Sequence, residues 1–434
     1  MRTKNTLWKI LLGFFLAANL PAIAQQTEHY EEKVFRTEDY AYEPNIRTVL
    51  FYPSSDMPTS VLDIPVLFLG APNQLKLEFD ELGDKYFNYY FRLVHCNADW
   101  SVSGLNDIDI LSDYNEFMMD SYEISLNTRK SYTHYTLTIP KVKASGNYVV
   151  MVYRNGNKDD IVLTRRFIIY DNKVQIDAKT IFSSGVAERF THQQIDFQVR
   201  YGGFQLINPQ QFVNVVLRQN SRWDNAIYNL KPMFLREENS LLDYTFFNLE
   251  NNFWGGNEFR SADLRSVRFN GQNVARTHFD NQKAEVWLLP DQPYYQRAYG
   301  QVIDINGRFI IENYETRNGA TEADYVQTHF YLNSPQLEGK VYVVGQLTDW
   351  KLDRKFLMSY DETTKQYTLE AQLKQGFYNY QYVYVPNGGK PDFQYFDGSH
   401  NATENLYDIL VYYRPIGARA DQLIGYKTIK YFGR

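Results

Sequence analysis

Apolar and polar residues alternate with a period of two along most of this chain. Over 74–79, Leu75, Leu77 and Phe79 fall on one face, the pattern of a half-buried strand. Segments 89–95, 134–139, 148–153 and 163–170 repeat it, punctuated by Pro140, Ser145-Gly146 and Asn155-Gly156-Asn157. Seven or so strands in roughly 120 residues predict an immunoglobulin-like β-sandwich. A second set, 174–182, 195–201, 212–218, 264–269 and 284–289, is interrupted by polar, Asn-rich stretches such as 248–258 that read as long loops. A third set lies at 340–344, 377–385 and 406–413. Helical periodicity is confined to the first residues of the chain.

The pattern predicts an all-β protein with three immunoglobulin-like β-sandwiches in series: 25–171, 172–320 with long loops, and 321–434. Ahead of them, Arg2, Lys4 and Lys9 precede an apolar run, Ile10 to Leu20, and Ala22-Ile23-Ala24. That layout predicts a signal peptide over 1–24, cleaved after Ala24, and an exported mature protein. The apolar run is too short to span a bilayer, and no Cys stands at the cleavage point to take a lipid anchor.

Composition changes this picture in two respects. Cys96 is the only cysteine, so stability must come from packed cores and not from an intrachain disulfide. The chain holds 36 Tyr and 29 Phe, an excess that suits pleated, half-buried surfaces and leaves room for an aromatic interface. A formal charge of −6, more negative once the basic leader is removed, gives no reason to expect nucleic acid or an anionic membrane surface as partner.

Candidate chemistry is sparse. His95 and Cys96 are adjacent, but neighbours on a strand point to opposite faces and cannot share a proton, so an inert buried thiol is expected. Asp107, Asp109 and Asp113 alternate with apolar residues, a spacing that fits a solvated loop or strand face, with calcium ligation as the alternative. An EF-hand loop counted from Asp107 would need Gly and Glu where Ser112 and Met118 stand. No nucleophile elbow, zinc motif or phosphate loop occurs, and seven scattered His form no ligand cluster. The expectation is a binding or structural protein and not an enzyme, with no catalytic residue, metal or cofactor.

Three stretches carry a family resemblance. They are Leu93-Val94-His95-Cys96-Asn97-Ala98-Asp99-Trp100, Trp254-Gly255-Gly256-Asn257-Glu258-Phe259-Arg260, and Leu406 to Arg414 followed by Asp421 to Tyr426. Together they resemble a family of exported Bacteroidota proteins associated with the plug of the type IX secretion system. The resemblance implies a periplasmic, non-enzymatic subunit at the inner face of the outer membrane. Its partner would be the giant outer-membrane β-barrel translocon, whose periplasmic end it would occlude in the absence of a cargo-recognition partner or substrate. It implies no residue-level interface.

The last unit carries a more distant resemblance. Val341 to Trp350 and Gly376 to Tyr382 are similar to early-set immunoglobulin-like modules, among them glycogen-binding modules. This implies an alternative function as an envelope carbohydrate-binding protein, with Trp350 stacking on a sugar ring. Trp350 packed over its own turn as a fold marker is the competing role, and no second stacking aromatic can be placed.

Overall fold

The computed structural model describes residues 33–55, 57–119 and 121–433. The expected signal peptide lies outside them. Strand makes up 45% of the chain and helix 5%, so the all-β expectation holds. The longest α-helical segments among the described residues are single turns, Asp107–Ile110 and Pro209–Phe212.

The first sandwich packs two sheets. One runs through Tyr89–Cys96, Gly146–Arg154 and Ile161–Tyr170, the other through Ile46–Pro53, Leu75–Leu82 and Tyr132–Thr138. Their inward faces meet as the alternation predicts, with Leu77, Phe79, Leu93, Val150, Val152 and Phe167 in one core. Most expected strands fall within a residue or two of observed ones. Segment 264–269 does not: the strand there ends at Asp263, and the chain turns. Arg265 folds back to pair with Asp263 at 2.8 Å, and the Ser266 hydroxyl accepts the amide hydrogens of Arg268 and Phe269. Such side-chain to backbone bonds offer the chain an alternative to a ladder.

The pairing departs from a serial arrangement. Strand Val213–Gln219 pairs along its length with Asn405–Tyr413, which pairs in turn with Gln422–Tyr431. The C-terminal hairpin therefore closes the second sandwich, and Tyr407, Ile409, Val411, Tyr413 and Ile424 lie in its core. Conversely, Arg260–Asp263 and Phe309–Ile311 both pair with Gly376–Pro386, in the third sandwich. The boundary expected at 320/321 thus cuts through the third sandwich, and the unit expected over 321–434 gives its last two strands to the second. The strand periodicity identified the strands but carries no information on their partners, because a period of two is the same whichever neighbour a strand takes.

The three sandwiches share buried surface. Leu50 and Tyr52 of the first belong to the same apolar core as Val326, Phe330 and Tyr378 of the third. Ala98 and Ile168 of the first pack with Val216, Leu410 and Tyr412 of the second. A buried ion pair, Asp80 to Lys374 at 2.6 Å, crosses from the first sandwich to the third.

Candidate functional site

Two of the stretches that stand out in the sequence are joints between sandwiches, and the third is the hairpin that closes the second. In the first, the turn after Cys96 presents Asn97, Ala98 and Trp100 to the rest of the chain. The Ala98 amide donates to Asp421 Oδ2 at 2.9 Å and the Asp421 amide to Asn97 Oδ1 at 3.3 Å. Trp100 meets Trp223 of the second sandwich edge to face at 4.8 Å, with the Arg166 guanidinium 4.3 Å over the Trp100 ring. His95 is held between Ser103 Oγ at 2.9 Å and the Ser145 carbonyl at 3.3 Å. Its ring fills the space that a Cβ on Gly146 would occupy, so that position needs glycine. Cys96 is fully buried, and burial pushes its thiol up to about 12, an inert state.

Two of the three aspartates considered for calcium, Asp107 and Asp109, have other partners. Asp109 accepts the Asn106 amide at 2.8 Å in a capping box and pairs with Arg419 at 2.7 Å. Asp107 accepts from Arg92 and Asn115. Among the described residues, no group of three or more His, Cys, Asp or Glu is arranged to hold a metal ion.

In the second stretch, a Cβ on Gly255 would overlap the His400 carbonyl oxygen, so the chain passes close there only as glycine. Arg260 is buried between Asp291 at 3.0 Å and Asp397 at 2.6 Å, with the Tyr294 ring 3.8 Å away. These contacts anchor a cluster of four segments from the second and third sandwiches: the loops 183–191, 294–304 and 397–404, and 247–258 with its short strand Asn252–Trp254. Cross-links hold it: the Gly255 amide to the Thr191 carbonyl at 2.8 Å, the Asn401 amide to the Phe190 carbonyl at 2.9 Å, and the Gly256 amide to Ser399 Oγ at 2.9 Å. From this fixed base four apolar tips project, Val186 85% exposed, Phe190 73%, Phe247 71% and Ile303 96%, with Trp254, Tyr295 and Val302 about half exposed beside them. Exposed apolar tips carried by one hydrogen-bonded loop cluster make it the candidate interaction surface, although Ile108, Tyr114 and Phe269, each 76% exposed, stand elsewhere. Periodicity could not find it, since loops have none.

Glu258 lies beneath this face. Burial raises its carboxyl to about 7 against a hydrogen bond from the Tyr299 hydroxyl, and Asp304 and Glu404 add like charge. The folded state therefore favours the protonated form. Its stabilising contribution is complete below pH about 4.5 and is lost as pH rises through about 7. The shift corresponds to about 3 kcal/mol at most. Thermal unfolding from pH 5 to 8 is expected to show stability falling, with a smaller fall in Glu258→Gln. An equal fall in the variant would assign the effect to other groups.

Trp350 sits at the meeting point of the three sandwiches. The Arg222 guanidinium lies 4.1 Å over its ring, and Phe259 meets it edge to face at 5.7 Å. Gly307 packs so close that a Cβ there would overlap the indole. A sugar stacking on the face that Arg222 covers would have to displace that guanidinium.

The chain is an all-β body whose sandwiches exchange strands and share buried cores. Residues 46–171 match the model of the type 9 secretion system plug protein first domain. The chain belongs to the type IX secretion system plug family, and with it to the envelope-associated components of that system. A crystal structure of a hypothetical protein from Parabacteroides merdae ATCC 43184 is similar across 92% of this chain and 100% of that one, with 33% identity and a TM-score of 0.85. A marsupial T cell receptor, at 9% identity and a TM-score of 0.14 over 89% of this chain and 99% of that one, carries no argument. None of the curated proteins matches this chain.

Proposed function

We propose that this chain occludes the periplasmic end of the giant outer-membrane barrel of the type IX translocon when neither a cargo-recognition partner nor substrate occupies it. The family match over 46–171 carries this reading. The physics is compatible with it. Sealing a pore wide enough for folded proteins asks for a broad, stiff body and an apolar face, not for a catalytic centre. The shared cores and the Asp80–Lys374 pair supply stiffness, and the Val186, Phe190, Phe247 and Ile303 tips supply the face that docks on the barrel.

Deletion of the gene tests this. Cargo passes through the barrel and not through this protein, so secretion is expected to persist. The outer membrane is expected to leak, with hypersensitivity to vancomycin-sized antibiotics, and removing the barrel as well should restore resistance. A carbohydrate-binding protein gives no reason for that rescue. Unchanged permeability in the single deletion, with barrels present and free of other partners, would overturn the proposal.

A further inference from the structure

A cavity of about 340 Å³ opens where the three sandwiches meet. Its walls come from all three, with Arg165 and Arg166 from the first, Arg218 and Arg222 from the second, and Arg308 and Trp350 from the third. Several of the charges are matched. Arg165 pairs with Asp349 at 3.2 Å, Arg222 with Asp224 and Arg218 with Asp408 at 2.7 Å.

Two features are left over. Arg218 is 97% buried (3% exposed), and its Nη2 finds no hydrogen-bond partner, although Nε and Nη1 are both used. Arg308 makes no ion pair among the described residues; its Nη2 donates to Ser221 Oγ at 3.3 Å, beside the Ser221 carbonyl that receives Arg218. Two guanidiniums thus converge on Ser221 and share the field of one carboxylate, Asp408, with Asp63 on the cavity wall as the other acidic group acting on Arg308. An unsatisfied buried N–H and an unpaired guanidinium are each costly, and together they define a site that wants an anion.

We propose that this cavity binds a phosphate monoester with a small organic group. The phosphoryl oxygens accept from the Arg308 guanidinium, which the Ser221 hydroxyl holds in place while donating to Asp408 Oδ2 at 3.1 Å, and Arg218 stands behind as the second positive charge. Planar guanidinium forks suit phosphate oxygens. The volume exceeds what a bare phosphate fills and lies at the small end of ligand pockets. Val61, Ile64 and Val66 on the same walls give the organic part apolar surface. Because the walls come from three sandwiches, the ligand ties them together and stabilises the whole chain by mass action.

Thermal unfolding of the full mature chain, at fixed ionic strength set with chloride, tests this with two probes, inorganic phosphate and glycerol 3-phosphate. A saturable rise in Tm of about 3 °C or more is expected with glycerol 3-phosphate. A smaller rise with inorganic phosphate would show that the organic part is recognised, and an equal one would assign the site to the free ion, overturning the monoester. Arg308→Gln should weaken binding by at least ~10-fold, while Lys85→Gln, on the exposed surface, should not. Broadening of the probe's phosphorus resonance by wild-type protein provides a readout that needs no variant to fold. No saturable shift and no broadening, or an undiminished shift in Arg308→Gln, would overturn the site.

Discussion

Lys374→Met is expected to destabilise the folded chain by about 3–5 kcal/mol, the range for breaking a buried ion pair from one side. Lys374 and Asp80 are each about 1% exposed at the side chain, and the ammonium lies 2.6 Å from Asp80 Oδ2. The ammonium also donates to the Ala320 carbonyl at 2.8 Å and sits 4.2 Å from the Tyr132 ring centre. Methionine fills similar space but leaves the Asp80 carboxylate with only His134 at 2.7 Å and the Tyr325 hydroxyl at 2.7 Å. Asp80 and Lys374 stand on different sandwiches, so the loss falls on the joint between them. Asp80→Asn added to Lys374→Met should recover part of the stability by removing the orphaned charge. Denaturant unfolding followed by tryptophan fluorescence measures both, and limited proteolysis should show the first sandwich released early in the single variant. A loss below about 1 kcal/mol for Lys374→Met would mean that the pair does not hold the joint.

The second large effect concerns the loop cluster. Phe190→Asp combined with Ile303→Asp is expected to abolish co-purification with the barrel and to reproduce the leak of the deletion strain. Both residues are mostly exposed, so folding stability should change by no more than about 0.5 kcal/mol each. A central apolar anchor in an interface contributes about 2 kcal/mol or more, near 30-fold in affinity, and two such losses remove most binding. Leu126→Asp serves as the control, since Leu126 is 55% exposed on the first sandwich, where its amide bonds the Thr321 carbonyl and none of the four segments of the loop cluster. Retained co-purification in the double variant, with loss in Leu126→Asp, would move the docking face to the first sandwich.

Much of the local structure was legible in the residues. Leu75, Leu77 and Phe79 mark a strand and its buried face, and all three lie in the first core. Cys96 as an inert thiol followed from its place on a strand, and the structure buries it. The stretches carrying the family resemblance were visible too, but not their purpose. Asn97, Ala98 and Trp100 have no local role that spacing could show, because Asp421 and Trp223 lie far along the chain. One signal was available and went unread: Asp408 interrupts the apolar run Leu406 to Tyr413, and Asp80 follows Phe79. A charge inside an apolar run is costly unless paired, so such residues mark buried partners even when the partner cannot be named.

Sequence by itself determined the strands, their inward faces and the family, because each is written in neighbouring residues and recurring motifs. Tertiary structure alone decided that the C-terminal hairpin closes the second sandwich, that Trp350 lies under Arg222, and that Arg218 and Arg308 converge on one cavity. The physical reason is range. Strand periodicity reflects which side of a strand meets apolar surface, a property of a few consecutive residues. Pairing, burial of charge and the gathering of loops depend on contacts between residues tens to hundreds of positions apart, and no local pattern encodes which of them will meet.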